Sequence, residues 1–233
     1  EFVDTNVMGV KNLLDLVRKK PKNVCHRPIL LHISTDEVYG DIVEGFHTEE
    51  SNLNPSNPYS ASKAASDMLI LAWARTYDID YLILRPTNNY GIGQYPEKLI
   101  PLIVKLLQRG KKIRLHDEGL PTRNWLHASD TAEAIMKVIE SGKVNEIYNV
   151  EGGFEQQNII TTKKVINCFY NYSVKAEHNS WYNLVDLTHK REGQDVRYAL
   201  NDDKIKKLGW KAVKKFDEEI CDIVEYYKNN FRW

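Results

Sequence analysis

The chain is poor in cysteine, carries no excess of either charge and has no long apolar run. Its three cysteines, Cys25, Cys168 and Cys221, are odd in number and widely spaced. They indicate neither a disulfide framework nor a zinc site, and a reducing, cytoplasmic setting is expected. Lysine plus arginine and aspartate plus glutamate both number 32. That balance argues against nucleic acid as a main partner and against a polybasic membrane surface. No stretch approaches the roughly 20 apolar residues of a membrane helix, and the amphipathic start at Glu1 is not a signal peptide. Histidine and cysteine never cluster at ligand spacing, so no metal is implied. Twelve glycines include no Gly-x-x-Gly-x-x-Gly turn, and neither an internal repeat nor a low-complexity stretch is present.

What is there alternates. At 233 residues the chain is long enough for one large domain or two small ones. Val3, Val7, Val10, Leu13, Leu14 and Val17 form one stripe, which predicts an amphipathic helix over 3–19. A short apolar strand is expected from Pro28 to Ser34, an acidic surface loop over 41–57, and a helix from Pro58 to Tyr77. Tyr81 to Arg85 reads as a buried strand that Pro86 ends. Beyond Gly91 the pattern predicts a helix over Glu97–Gln108, a strand over Lys112–His116, a helix over Ser129–Ile139 with Ser129 as N-cap, and a strand over Glu146–Val150. Helices around Thr162–Tyr170, Asp202–Leu208 and Asp217–Tyr227 complete the chain. Strands alternating with helices imply an α/β fold with a parallel, doubly wound sheet.

Two segments carry the chemistry. In Tyr59-Ser60-Ala61-Ser62-Lys63 a phenol and an ammonium stand one helical turn apart, where the cation can hold the phenol's proton affinity down toward neutrality. In His32-Ile33-Ser34-Thr35-Asp36-Glu37-Val38-Tyr39-Gly40 an apolar strand ends in a hydroxyl and two adjacent carboxylates, where parallel-sheet enzymes present reactive groups. Two neighbouring acids cannot both ionise freely in a partly dry site, so one can donate a proton while the other accepts one. Taken separately, the same residues also suit an exposed i, i+4 pair and the start of a solvated loop.

Taken together, these motifs resemble the extended short-chain dehydrogenase/reductases, and within them the nucleotide-diphosphate-glucose 4,6-dehydratases. The similarity runs from Thr5-Asn6 through both segments. It continues through Arg85-Pro86-Thr87-Asn88-Asn89-Tyr90-Gly91, Pro96-Glu97-Lys98-Leu99-Ile100-Pro101 and Leu208-Gly209-Trp210. The resemblance implies a Rossmann-like sheet, NAD as cofactor, and conversion of dTDP-glucose or UDP-glucose to the 4-keto-6-deoxy sugar, as in deoxysugar and rhamnose biosynthesis. It implies residues 1–91 as the C-terminal part of the NAD-binding domain. Residues 92–233 then form mainly a nucleotide-sugar lobe, some segments of which return to the first domain. It also implies a homodimer pairing through the helices around 1–19 and 58–77.

The residue roles implied by the resemblance are specific. Tyr59 is the base at O4, Lys63 its electrostatic partner and ribose ligand, Glu37 the base at C5, Asp36 the acid at the C6 hydroxyl, and Thr35 a hydrogen-bond partner at C4. Thr5, Ser34 and Asn89 join Tyr59 and Lys63 around the cofactor. Asn88, Lys98, Leu99, His116, Arg123, Asn158 and Arg191 join Thr35 around the nucleotide sugar, with His116 in the base pocket. The segment Arg191-Glu192-Gly193-Gln194-Asp195 departs from the family's Arg-Pro-Gly-His-Asp, which leaves the contact of Gln194 open. A 4-epimerase or a nucleotide-sugar decarboxylase on the same scaffold is the alternative enzyme, although epimerases need no adjacent C5 base and C6 acid. By the same comparison the glycine-rich first β-α-β units are not in this sequence, so the chain is expected to be a C-terminal portion of a longer enzyme. In isolation it could also be a non-catalytic piece.

Overall fold

A computed structural model of the chain describes residues 1–19, 28–174, 179–190 and 195–230. In order come a π-helical stretch Val3–Met8, α1 (Gly9–Arg18), β1 (Leu30–Ile33), a 3-10 turn Asp36–Tyr39, α2 (Pro58–Tyr77), β2 (Tyr81–Pro86) and β3 (Asn88–Tyr90). Then follow α3 (Leu99–Gln108), β4 (Ile113–His116), β5 (Thr122–His127), α4 (Ala128–Ser141), β6 (Glu146–Val150) and β7 (Glu155–Gln157). The rest is α5 (Asn158–Phe169), β8 (Val185–His189), α6 (Asp203–Lys206) and α7 (Phe216–Asn230). Two compact units share these elements: Glu1–Thr87 with Thr131–Glu151 and Tyr198–Lys211, and Asn88–Asp130 with Gly152–Arg197 and Ala212–Trp233.

The first unit is built on a parallel sheet in the order β1-β2-β6. All six residues of β2 are buried, as expected of a parallel strand covered on both faces. Val10 and Leu14 of α1 pack with Ile70 of α2 and with Ile79, Tyr81 and Ile83. α2 begins where its sequence says it should. Asn57 accepts from the Ser60 amide at 3.0 Å, the Ser60 hydroxyl accepts from the Asn57 amide at 3.2 Å, and Pro58 opens the helix; this reciprocal pairing satisfies donors a helix start leaves orphaned. α2 ends at Asp78, which adopts a left-handed φ of 59°.

In the second unit, β3-β5-β7 form one sheet and β4-β8 another. Its core gathers Ile100, Ile103 and Val104 of α3, Val165 and Ile166 of α5, and Phe216, Ile220 and Val224 of α7 around Tyr90 and Trp125. β3 pairs in parallel with β5, so the chain enters this unit directly after Thr87. Gly152 packs so closely that a Cβ there would lie 1.9 Å from the Trp125 carbonyl oxygen.

Three expectations are corrected. The helix predicted over 3–19 opens with π-helical turns, whose i→i+5 bonds put more residues in each turn and so take Val3 off the stripe; Val3 and Leu13 are exposed and only Val10 and Leu14 are buried. Ser129 is not an N-cap. α4 starts one residue earlier, and the Ser129 amide donates to His127 Nδ1 at 3.2 Å, so the imidazole serves that end. Finally, Cys168 and Cys221 form a disulfide. They are 53 residues apart, but the packing of α5 against α7 brings their Cα atoms to 4.9 Å.

Candidate active site

Within the first unit, the end of β1 and the start of α2 present the predicted chemical groups. Ser34, buried, closes β1 by donating its amide to the Leu84 carbonyl at 2.7 Å. Thr35, in extended conformation, caps the 3-10 turn by accepting from the Glu37 amide at 3.3 Å, and its hydroxyl donates to Asp36 Oδ1 at 3.0 Å. Asp36 is only 2% exposed, whereas Glu37 is half-buried and its Oε2 accepts from the Asn57 side-chain Nδ2 at 3.4 Å. The turn must stop at Gly40, where φ is +81° and a Cβ would meet the Asn54 carbonyl oxygen at 2.3 Å; only glycine fits such a position without strain.

Tyr59 and Lys63 are both half-buried on the first turns of α2. Burial pushes the Tyr59 phenol up to about 12, and the negative charges of Glu37 and then Asp36 push in the same direction. This corrects the expected lowering by Lys63. The Lys63 ammonium instead donates to the Ile33 carbonyl at 2.6 Å, pinning α2 to the end of β1. Its own pKa is lowered by burial, against which the Asp67 carboxylate acts.

A buried polar chain braces these segments. Arg85 on β2 donates to Asp67 of α2 at 2.9 Å and to the Tyr39 hydroxyl at 2.7 Å, and Tyr39 donates to Asn149 Oδ1 at 2.8 Å. Asn149 in turn donates to the carbonyls of His47 and Asn201. Tyr39 ends the turn that carries Asp36 and Glu37, and Asp67 lies two turns along α2 from Tyr59. One guanidinium therefore ties both candidate segments to the sheet. His32 sits 3.5 Å from Asp67 and is driven down to about 3, first by burial and then by Lys63 and Arg85.

The second unit holds a cavity of about 300 Å³, lined among others by Asn88, Asn89, Lys98, Leu99, His116, Arg123 and Asn158. Asn88 Oδ1 and Trp125 Nε1 are buried there without hydrogen-bond partners among the described residues, an acceptor and a donor of the kind that structures keep for a ligand or water. Arg123 donates to the carbonyls of Thr122 at 2.8 Å and Asp195 at 3.2 Å. Lys98 stands at the N-cap position of α3 without a side-chain cap bond, its ammonium 3.5 Å from Glu97.

Of the remaining residues named from the sequence, Thr5 lies exposed in the π-helical stretch, and Arg191 and Gln194 lie outside the described residues. Sequence reasoning passed over Gln94, Arg114 and Trp125, which also line the cavity. The strict alternation Ile113-Arg114-Leu115-His116, buried and exposed in turn, was the available signal for Arg114: it shares a strand face with His116.

Comparison with known proteins gives a consistent result. The profile of the family described as GDP-mannose 4,6 dehydratase matches residues 1–223. A dTDP-glucose 4,6-dehydratase of Streptomyces niveus is 40% identical over 234 residues, with 100% of this chain and 65% of that protein covered. The crystal structure of a dTDP-glucose 4,6-dehydratase from Streptomyces venezuelae, with NAD bound, superposes with a TM-score of 0.88 at 37% identity, covering 98% of this chain and 67% of that one. UDP-glucose 4-epimerase from Thermotoga maritima shares the fold, with a TM-score of 0.81 at 24% identity over 99% of this chain and 71% of that one. The chain thus spans about two thirds of the length of the relatives it matches.

Proposed function

Because the chain belongs to the family described as GDP-mannose 4,6 dehydratase, we propose that it serves the NAD-dependent 4,6-dehydration of a nucleotide-diphosphate glucose, dTDP-glucose or UDP-glucose, to the 4-keto-6-deoxy sugar. The observation that carries this reading is the pair Asp36-Glu37, capped by Thr35 at the carboxyl end of β1 and close enough to Tyr59 for both charges to act on its phenol.

The donor set fits the ribose and nicotinamide end of NAD: a lysine ammonium and a tyrosine hydroxyl on one helix start, at the carboxyl ends of parallel strands. NAD, held by Tyr59 and Lys63, would supply the acceptor and donor of the hydride. Tyr59 then takes the O4 proton while Thr35 holds the oxygen at C4. Once C4 is a ketone the C5 proton is acidic, and Glu37, the more open of the two acids, removes it. Asp36 protonates the C6 hydroxyl as it leaves as water. Lys63 stays anchored at Ile33 and serves the cofactor's ribose. In the second unit, Arg123 and Asn158 serve the diphosphate, for which a guanidinium is the natural partner. Lys98, Leu99 and His116 serve the nucleoside.

An epimerase needs no C5 base or C6 acid, and the geometry of Asp36 and Glu37 gives that reading no support. Exposed Phe2, Val3, Met8, Leu13 and Leu16 along the first helical stretch, with Met68 on α2, support a homodimer formed there. The test is product analysis: incubation with NAD and either dTDP-glucose or UDP-glucose yields a product lighter by one water. A product of unchanged mass with inverted C4 overturns the proposal.

A further inference from the structure

The cavity of the second unit contains a cation that no other described residue engages. Arg114 lines it from β4, exposed, while its neighbours Ile113 and Leu115 are buried. Across the sheet its backbone partner is Asp186, an obvious carboxylate for an ion pair. Asp186 is otherwise engaged: Oδ1 accepts from the Thr188 amide at 3.0 Å and the Thr188 hydroxyl at 2.7 Å, and Oδ2 lies 3.2 Å from His189. Arg114 has no hydrogen bond or ion pair among the described residues. The β4-β8 register also shifts between Arg114 and His116, with the extra residue on β8 between Asp186 and His189.

The two arginines of the cavity stand on different sheets. Arg123, on β5, is held by backbone carbonyls near the start of α5 at Asn158, an arrangement suited to phosphate. Arg114 stands on β4 beside the flat ring of His116, which suits the face of a base. A guanidinium carries five donors and no acceptor, so one of its N–H groups donates to the 4-carbonyl of uracil or thymine, the position at which cytosine carries its amino group. An amino group at the same edge meets it donor to donor and leaves both unpaired, which sites of this kind reject strongly.

We propose that Arg114 reads the base of the nucleotide in this cavity, selecting a carbonyl-bearing edge (uracil, thymine or guanine) over an amino-bearing one (cytosine or adenine). The inference rests on the reading of the cavity as the nucleotide site. UDP and CDP differ only at that edge and make the cleanest pair of probes. Calorimetric titration of the protein and of its Arg114→Ala variant with UDP, CDP and inorganic pyrophosphate tests it. The parent protein is expected to bind UDP about tenfold or more tighter than CDP. In Arg114→Ala that ratio falls to near one, while pyrophosphate affinity is unchanged. An unchanged UDP-to-CDP ratio overturns the proposal, as does an equal loss for all three ligands, which makes Arg114 a phosphate contact. If the parent protein binds neither nucleotide, the nucleotide reading of the cavity fails and this inference falls with it.

Discussion

Tyr59 illustrates how a residue's surroundings decide its chemistry. Burial, Glu37 and Asp36 together hold its proton at neutral pH, so its use as a base depends on positive charge brought close to the phenol. Tyr59→Phe is therefore expected to lose about two to four orders of magnitude in the first hydride transfer, read as reduced cofactor in a single turnover; a rate near that of the parent removes Tyr59 from the mechanism. Glu37→Gln is expected to behave differently. Reduced cofactor should build up because oxidation at C4 proceeds while C5 keeps its proton, and normal turnover would exclude Glu37. Behind them, Arg85 and Asp67 form a pair of which neither side chain exceeds 2% exposure. Removing one partner of such a pair typically costs about 3 to 5 kcal/mol, so Asp67→Ala should lower the urea midpoint markedly. His32 adds a pH dependence. Its folded pKa, about 3, lies below the ordinary 6.5, so between those values the unfolded chain binds a proton that the folded one refuses. Stability should fall as pH drops through that window, by up to about 1.4 kcal/mol per unit, and His32→Phe should flatten the acid limb of a urea-denaturation series.

At the scale of elements, α2 does most to build the site, and its start is the most exposed to a single change. Asn57→Ala removes both the cap of α2 and a contact to Glu37. About 1 kcal/mol of stability should be lost, visible in thermal melts, together with activity; unchanged melting would mean that the cap contributes nothing. The same chemistry made α2 legible. Asn57-Pro58 marks its beginning, and both its limits and those of β6 at Glu146 and Val150 coincide with the predicted ones. β3 and β7 have three residues each and are largely polar, too short to show a period of two, and they exist because β5 pairs with both. No local pattern encodes such partners. The π-helical opening of the first helix was hidden for the converse reason: its apolar spacing fits an ordinary helix, and only the backbone shows the wider turn.

For the whole molecule, the sequence reading sets its break after Gly91, whereas the compact units part after Thr87, because β3 pairs with β5 of the second unit. The return of residues 131–151 to the first unit follows from β6 pairing with β2 across more than 60 residues of chain, and that of 198–211 is marked by the bridge of Leu200 to His47, neither of which spacing alone can reveal. The disulfide between α5 and α7 escaped for the same reason. The groups proposed for catalysis, by contrast, each lie within one local segment, Thr35-Asp36-Glu37 and Tyr59 to Lys63, and so could be named from the sequence. Arg114 needed the cavity to give its alternation a meaning. The central claim is that these groups run oxidation, water loss and reduction on one bound sugar, and substrate carrying deuterium at C4 tests it most directly. The account predicts a 4-keto product with that deuterium at C6 and a solvent hydrogen at C5. Deuterium retained at an inverted C4, or lost to solvent, would contradict it.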